Sequence, residues 1–192
     1  MPVGDDRLAP DELAALGTLA EAVDLNRVRL HRGAGGAAAR LLRSALLTLS
    51  GGRAVTLGNH VFLPDGCCRS VPVLAHELTH CAQYQAWGPR RYFARGLADR
   101  IRELRHRLGL GASPYDYAAD AGRPFETYGM EQQGQIVEDC FRGKSAALAL
   151  SPYRPPEADT ACRMAAANAS TSASEVSKAV IQRTSDRSSS HT

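Results

Sequence analysis

The stretch "VLAHELTHCAQY", residues 73–84, decides how this chain is read. His76 and His80 stand four apart, and Glu77 follows the first directly. With 6 His and 9 Glu in 192 residues, such an H-E-x-x-H arises by chance in roughly 1% of comparable chains. Its context therefore has to carry the argument. Val71, Leu74, Ala75, Leu78 and Ala82 recur at helical spacing, so the stretch reads as a helix beginning near Ser70–Pro72. On that helix His76 and His80 share one face, one turn apart. Two imidazoles so placed can reach one ion at about 2.0–2.1 Å. Glu77 is turned about 100° from His76, a poor ligand position but a suitable one for taking a proton from water at the metal. The alternative is an ordinary polar pole on a half-buried helix.

Outward from the motif, the chain alternates helix and strand patterns. "PDELAALGTLAEAV" (10–23) reads as a helix with Pro10 and two acids at its start, where they suit the helix dipole. "RVRLH" (27–31) alternates charged and apolar residues, the period of a half-buried strand. "AAARLLRSALLTL" reads as a second helix, closed by Gly51–Gly52. "RAVTLGNHVFLP" (53–64) reads as two short strands hinged at "GNH". "RRYFARGLADRIRELRHRLGL" (90–110) reads as an amphipathic helix whose basic face is either solvated or a docking surface for an acidic partner. A turn-rich loop at 111–124 leads to a helix over 125–143, expected to close the folded part. This gives an α+β domain over 25–150, with an N-terminal helical segment (1–24) packed on it. A Pro then Ala/Ser/Thr-rich tail (151–192) is expected to be disordered.

Composition narrows the function. Apolar residues make up 44% and charged residues 22% of the chain, the balance of a soluble globular protein. A net charge of +3 gives no ground for a nucleic-acid partner. No apolar run approaches the roughly 20 residues that span a bilayer. The acidic start "MPVGDDRLAP" lacks a classical signal peptide, so the expected location is the bacterial cytoplasm, with any export independent of such a signal. The five cysteines are odd in number and show no C-x-x-C, which favours free thiols.

A catalytic metal site needs a third protein ligand and an open position. The metzincin continuation is absent, because Gln83 and Ala86 stand where its Gly and third His would be. Glu103 and His106 lie among arginines, and Glu103 suits an i,i+4 pair with Arg107. Glu131 and Glu138, spaced by seven, share one helix face, and Gly134 leaves room for a close helix approach. Spacing alone does not choose between them. Tyr115, Tyr117 and Tyr128 precede Glu131, where a phenol could stabilise an oxyanion. His31 and His60 read as structural or strand-end residues, and Cys67, Cys68 and Cys81 as inert thiols.

In order, "VRLH", a Gly/Ala-rich helix, "RAVTLGNHVFLP" and "LAHELTHCAQ" resemble the eCIS core domain family. This is a metallopeptidase-type domain found with extracellular contractile injection systems and secreted toxins. The resemblance runs from about Leu25 to Cys140, and "EQQGQIVED" looks closer to a neighbouring group linked to type VI secretion spike proteins. It implies a small zincin-like (gluzincin-like) fold and one Zn2+ held by His76, His80 and Glu131, with Glu77 as the catalytic base. It also implies that the strand before the motif helix binds an extended peptide by strand addition. Gly134 takes the Ala place of the family's E-x-x-A-D pattern and Gln135 its Asp place. An Asp there would accept from a ligand His, whereas Gln does so without charge, so the change tunes the site, passes the role to Glu138 or marks loss of activity. The expected activity is hydrolysis of peptide bonds by Glu-assisted attack of zinc-bound water. The expected partners are a peptide or protein substrate and injection-system or toxin components. The rival expectation is an inactive packaging module that zinc only stabilises.

Overall fold

The structure is a computed structural model that describes residues 7–33, 36–65 and 70–156. The Ala/Ser/Thr-rich segment from Glu157 onward lies outside the described residues, as do Cys67, Cys68 and Cys162. Described in chain order are α1 (Pro10–Ala15), α2 (Leu19–Ala22), β1 (Arg29–His31), α3 (Ala37–Leu49), β2 (Val55–Leu57) and β3 (His60–Phe62). Then come α4 (Val71–Arg107), a 3-10 turn (Phe125–Thr127), α5 (Met130–Phe141) and α6 (Ser145–Leu150). The architecture is mostly helical with one small sheet, the α+β class expected from the alternating patterns.

The sheet is mixed, in the order β1-β3-β2. β2 and β3, the two short strands expected on either side of "GNH", form a hairpin, with Leu57 opposite His60 across a two-residue turn. Gly58 opens that turn at φ 66, the positive φ that a II′-type hairpin turn requires at its first central position. β1 lies parallel to β3, with Leu30 beside Val61. Both are fully buried and meet Leu74 and Leu78 of α4 in the main core. Burying each such side chain contributes about 1.5–3 kcal/mol, which fixes α4 against the sheet. β2 remains an edge strand, pinned by the Tyr92 hydroxyl donating to the Thr56 carbonyl at 3.0 Å.

Three stretches differ from the sequence-based expectation. The single helix over 10–23 is two, because Gly17 adopts φ 51 and a Cβ there would stand 2.1 Å from the Arg154 carbonyl oxygen. Leu16, Leu19 and Val23 still reach the core. The helix expected over 125–143 begins only at Met130, since Pro124 and Tyr128 hold extended backbone on either side of the 3-10 turn. Its start is capped by Gln132, which accepts the Gly129 N–H at 2.9 Å. It does not close the folded part either. After Gly143, at φ 79, α6 follows, and residues 151–156 run back across α1 and α2, where the Arg154 N–H donates to Thr18 Oγ1 at 2.9 Å.

α4 has two arms. Gly88 leaves the helical region at φ 75, ψ 166, with Pro89 directly after it. The first arm carries the motif. The second exposes the apolar row Phe93, Leu97, Ile101, Leu104 and Leu108 between its arginines. Among the described helices, none is long and apolar enough to cross a membrane.

Candidate metal centre

His76, Glu77 and His80 are 7%, 5% and 5% exposed, so the polar pole of α4 faces a covered cleft. The cover is α5, which packs against α4 more extensively than any other pair of described elements. Gly134 permits that approach. A Cβ on it would meet His76 Nε2 at 2.8 Å and Cε1 at 2.9 Å.

The close approach brings Glu131 to the two histidines. Glu131 Oε2 lies 3.6 Å from His76 Nε2 and 3.4 Å from His80 Nε2. The two Nε2 atoms are 3.2 Å apart. Tetrahedral ligands at about 2.0–2.1 Å from one ion stand roughly 3.3 Å from each other. These three atoms can therefore hold one metal ion. The three residues line a cavity of about 540 Å³ together with Glu77, Tyr115 and Gln135, among others.

The outward ring nitrogens show why the inner ones suit a cation. His76 Nδ1 is 3.0 Å from Glu138 Oε2, and a carboxylate only accepts. His80 Nδ1 is 2.8 Å from Gln83 Oε1. The Gln83 amide nitrogen donates to the Met130 carbonyl at 3.1 Å and to Gln133 Oε1 at 2.9 Å, which turns its oxygen toward His80. Both neutral rings thus carry hydrogen on Nδ1 and bare lone pairs on Nε2. Two lone pairs and a carboxylate oxygen converge on one point, an arrangement that repels itself unless a positive charge sits there.

Without a metal, protons take that place. Burial pulls the His76 pKa down, yet hydrogen bonds to Glu131 and Glu138 and the charge of Glu77 outweigh it and lift it to about 10. For His80 burial again acts downward, and Glu131 reverses it. Burial pushes Glu131 up, but His80 and His76 hold its carboxyl well below the ordinary range. The pocket is built for a cation.

Glu77 is held separately. The Thr56 hydroxyl donates to its Oε2 at 2.6 Å, which leaves Oε1 able to accept a proton. The other sequence-derived candidates fall in different places. Glu138 bonds the far side of His76 and is tied at its other oxygen to Arg142 at 2.6 Å. Gln135 lines the cavity but donates to Asp139 at 3.0 Å instead of supporting a histidine. Of the three tyrosines, only Tyr115 lines the cavity, its ring 6.4 Å from that of His76. Tyr117 donates to Asp139 at 2.9 Å, and Tyr128 is buried with its hydroxyl 3.2 Å from the Ala118 carbonyl. Glu103 bonds Arg107 at 2.7 Å, and His106 reaches the Gly111 carbonyl at 3.0 Å, so neither joins the cluster. His31 and His60 meet across the β1–β3 strand ends at 3.1 Å. Cys81 is fully buried, and burial pushes its thiol well above the ordinary value.

Sequence reasoning missed Thr56 and the task of Gln83. Gln83 was legible as the residue three beyond His80, one turn along the same face. Thr56 gave no such sign, because its partner lies 21 residues away on another element.

Two helical histidines and a carboxylate from a second helix, beside a glutamate held apart from them, make up a candidate metal centre of the two-His, one-Glu class. Residues 17–88 match the family model described as the eCIS core domain, so that stretch is similar to that family. The match takes in the sheet, α3 and the first arm of α4 with His76, Glu77 and His80. It ends before Glu131 and Glu138, short of the Cys140 limit expected from the motifs. No curated protein and no solved structure matches the chain.

Proposed function

We propose that this protein is a zinc-dependent peptidase of zincin-like build, acting in or exported by a bacterial contractile injection system. The observation that carries the hydrolase reading is the convergence of His76 Nε2, His80 Nε2 and Glu131 Oε2 with both Nδ1 atoms already committed to acceptors. The family match supports the link to injection systems.

Two imidazoles and one carboxylate form the mixed nitrogen and oxygen donor set that zinc favours at catalytic sites. Zinc there would supply Lewis acidity to a carbonyl oxygen and acidify water. The chain's own residues do the rest. Glu138 and Gln83 keep the two rings in the ligating tautomer. Glu77, held at one oxygen by Thr56, takes a proton from water and returns it to the leaving amine. Tyr115 presents a phenol to the same cavity, and burial followed by the charge of Glu131 keeps that phenol protonated and able to donate. The edge strand β2 lines the cavity through residues 54–57, where an extended peptide could pair with it.

Glu77→Gln tests this reading, since it removes the base while keeping size and hydrogen bonding. Zinc-loaded wild type should cleave members of a mixed peptide library followed by mass spectrometry. Glu77→Gln should hold the same zinc and cleave nothing measurable. Equal turnover by the two, or none by zinc-loaded wild type, contradicts the reading and leaves a metal-held scaffold.

A further inference from the structure

The lining of the cavity also carries two arginines, Arg53 and Arg100. Glu103 is bonded by three guanidinium groups at once: Arg53, Arg100 at 2.7 Å and Arg107 at 2.7 Å. One carboxylate therefore answers three arginines. Glu103 and Arg107 do not line the cavity, whereas Arg53 and Arg100 do. Glu103 thus holds the pair from behind while the pair faces the space in front of the metal centre. A guanidinium has five N–H donors. Among the described residues, Arg100 uses Nη1 on Glu103, and Arg53 uses Nε on the Ser50 carbonyl and Nη2 on Glu103.

The cavity's negative groups do not neutralise this pair. Glu77 and Glu131 sit at the candidate metal centre, where a bound divalent ion would offset them, and Glu138 is paired with Arg142. The distance from the pair to the chemistry is short. The Arg53 guanidinium lies 4.7 Å over the Tyr115 ring, and that ring is 6.4 Å from His76. Those two steps together span at most about three residues of extended peptide at about 3.3 Å each.

We propose that Arg53 and Arg100 form a carboxylate-binding subsite, so that the substrate is a peptide carrying a carboxylate within about three residues of the cleaved bond. Arg is suited to this because its planar fork matches a carboxylate in a bidentate pair. The carboxylate is either an Asp or Glu side chain or the peptide's C-terminus. The inference rests on the hydrolase reading of the same cavity but concerns binding alone.

The test uses zinc-loaded Glu77→Gln protein and three ten-residue peptide libraries, with binding followed by fluorescence anisotropy. One library contains Asp and Glu and ends in an amide. The second replaces them by Asn and Gln and ends in an amide. The third has Asn and Gln but a free C-terminal carboxylate. A carboxylate-bearing library should bind about tenfold tighter than the neutral one. The first library doing so assigns the subsite to side chains, and the third assigns it to the chain end. Adding Arg100→Gln or Arg53→Gln should erase that difference, with folding checked by circular dichroism. If either variant fails to fold, loss of the preference in 0.5 M NaCl replaces it. Equal affinity for all three libraries, or a preference that survives both substitutions, overturns the proposal. A carboxylate preference without hydrolysis by the wild type would sink the peptidase reading alone.

Discussion

Gly134 lies against the imidazole of His76 so closely that an added Cβ would sit 2.8 Å from Nε2, the atom aimed at the metal position. The two helices meet at that distance because position 134 has no side chain. An alanine there needs α5 to stand farther from α4 or the ring to turn. Gly134→Ala should therefore move the nitrogen off its ligating position and lower zinc affinity about tenfold or more. Competition against a fluorescent chelator measures it. Unchanged affinity would mean that the helices separate at no cost to the site.

Glu138 and Glu131 should behave differently when each is cut to alanine. Glu131 would provide a ligand atom, whereas Glu138 only fixes the far nitrogen of His76 at 3.0 Å. Glu138→Ala should still take up zinc, about 10–100-fold more weakly, as is usual when the group that orients a ligand is lost. A chelator series at fixed pH separates this from complete loss.

Thr56→Val removes the hydroxyl that holds Glu77 at 2.6 Å while keeping the size of the side chain. Zinc content should not change, because Thr56 touches no ligand. Turnover should fall about tenfold, the scale of one lost hydrogen bond to a charged group. Steady-state kinetics on a cleaved library member, beside zinc analysis, checks both halves.

The Glu103 cluster gives a pH dependence. Burial acts to raise the Glu103 pKa, but Arg107, Arg53 and Arg100 outweigh it and hold the carboxyl below its ordinary value. The unfolded chain then binds this proton at higher pH than the folded protein does. The cluster's contribution is complete above the unfolded value of about 4.5 and is lost as pH falls through the lower folded value. Glu103→Gln should therefore lower the urea midpoint more at pH 7 than at pH 3. An equal loss at both pH values would show that the carboxylate's charge is not the cause.

Local pattern made most of this legible. The hairpin followed from "GNH" between two apolar runs, and the motif helix from its apolar spacing and Pro72. Those features need only neighbouring residues. The arrangement around the metal position was harder to read because it depends on how α5 is rotated against α4. Residues 131, 134, 135 and 138 lie on one face of α5, so any of the three polar ones could meet a histidine. Packing decides that Glu131 reaches the Nε2 side, Glu138 the Nδ1 side of His76, and Gln135 neither. The break at Gly17 escaped notice for the same reason, since what makes it necessary is Arg154, far along the chain.

The most direct test is zinc per chain after chelation and reconstitution, measured on wild type, Glu77→Gln and Glu131→Ala. One zinc in wild type and Glu77→Gln, with loss in Glu131→Ala, is the result predicted by three converging ligands and a separate base. No zinc in reconstituted wild type, or a full zinc in Glu131→Ala, would contradict the metal centre itself.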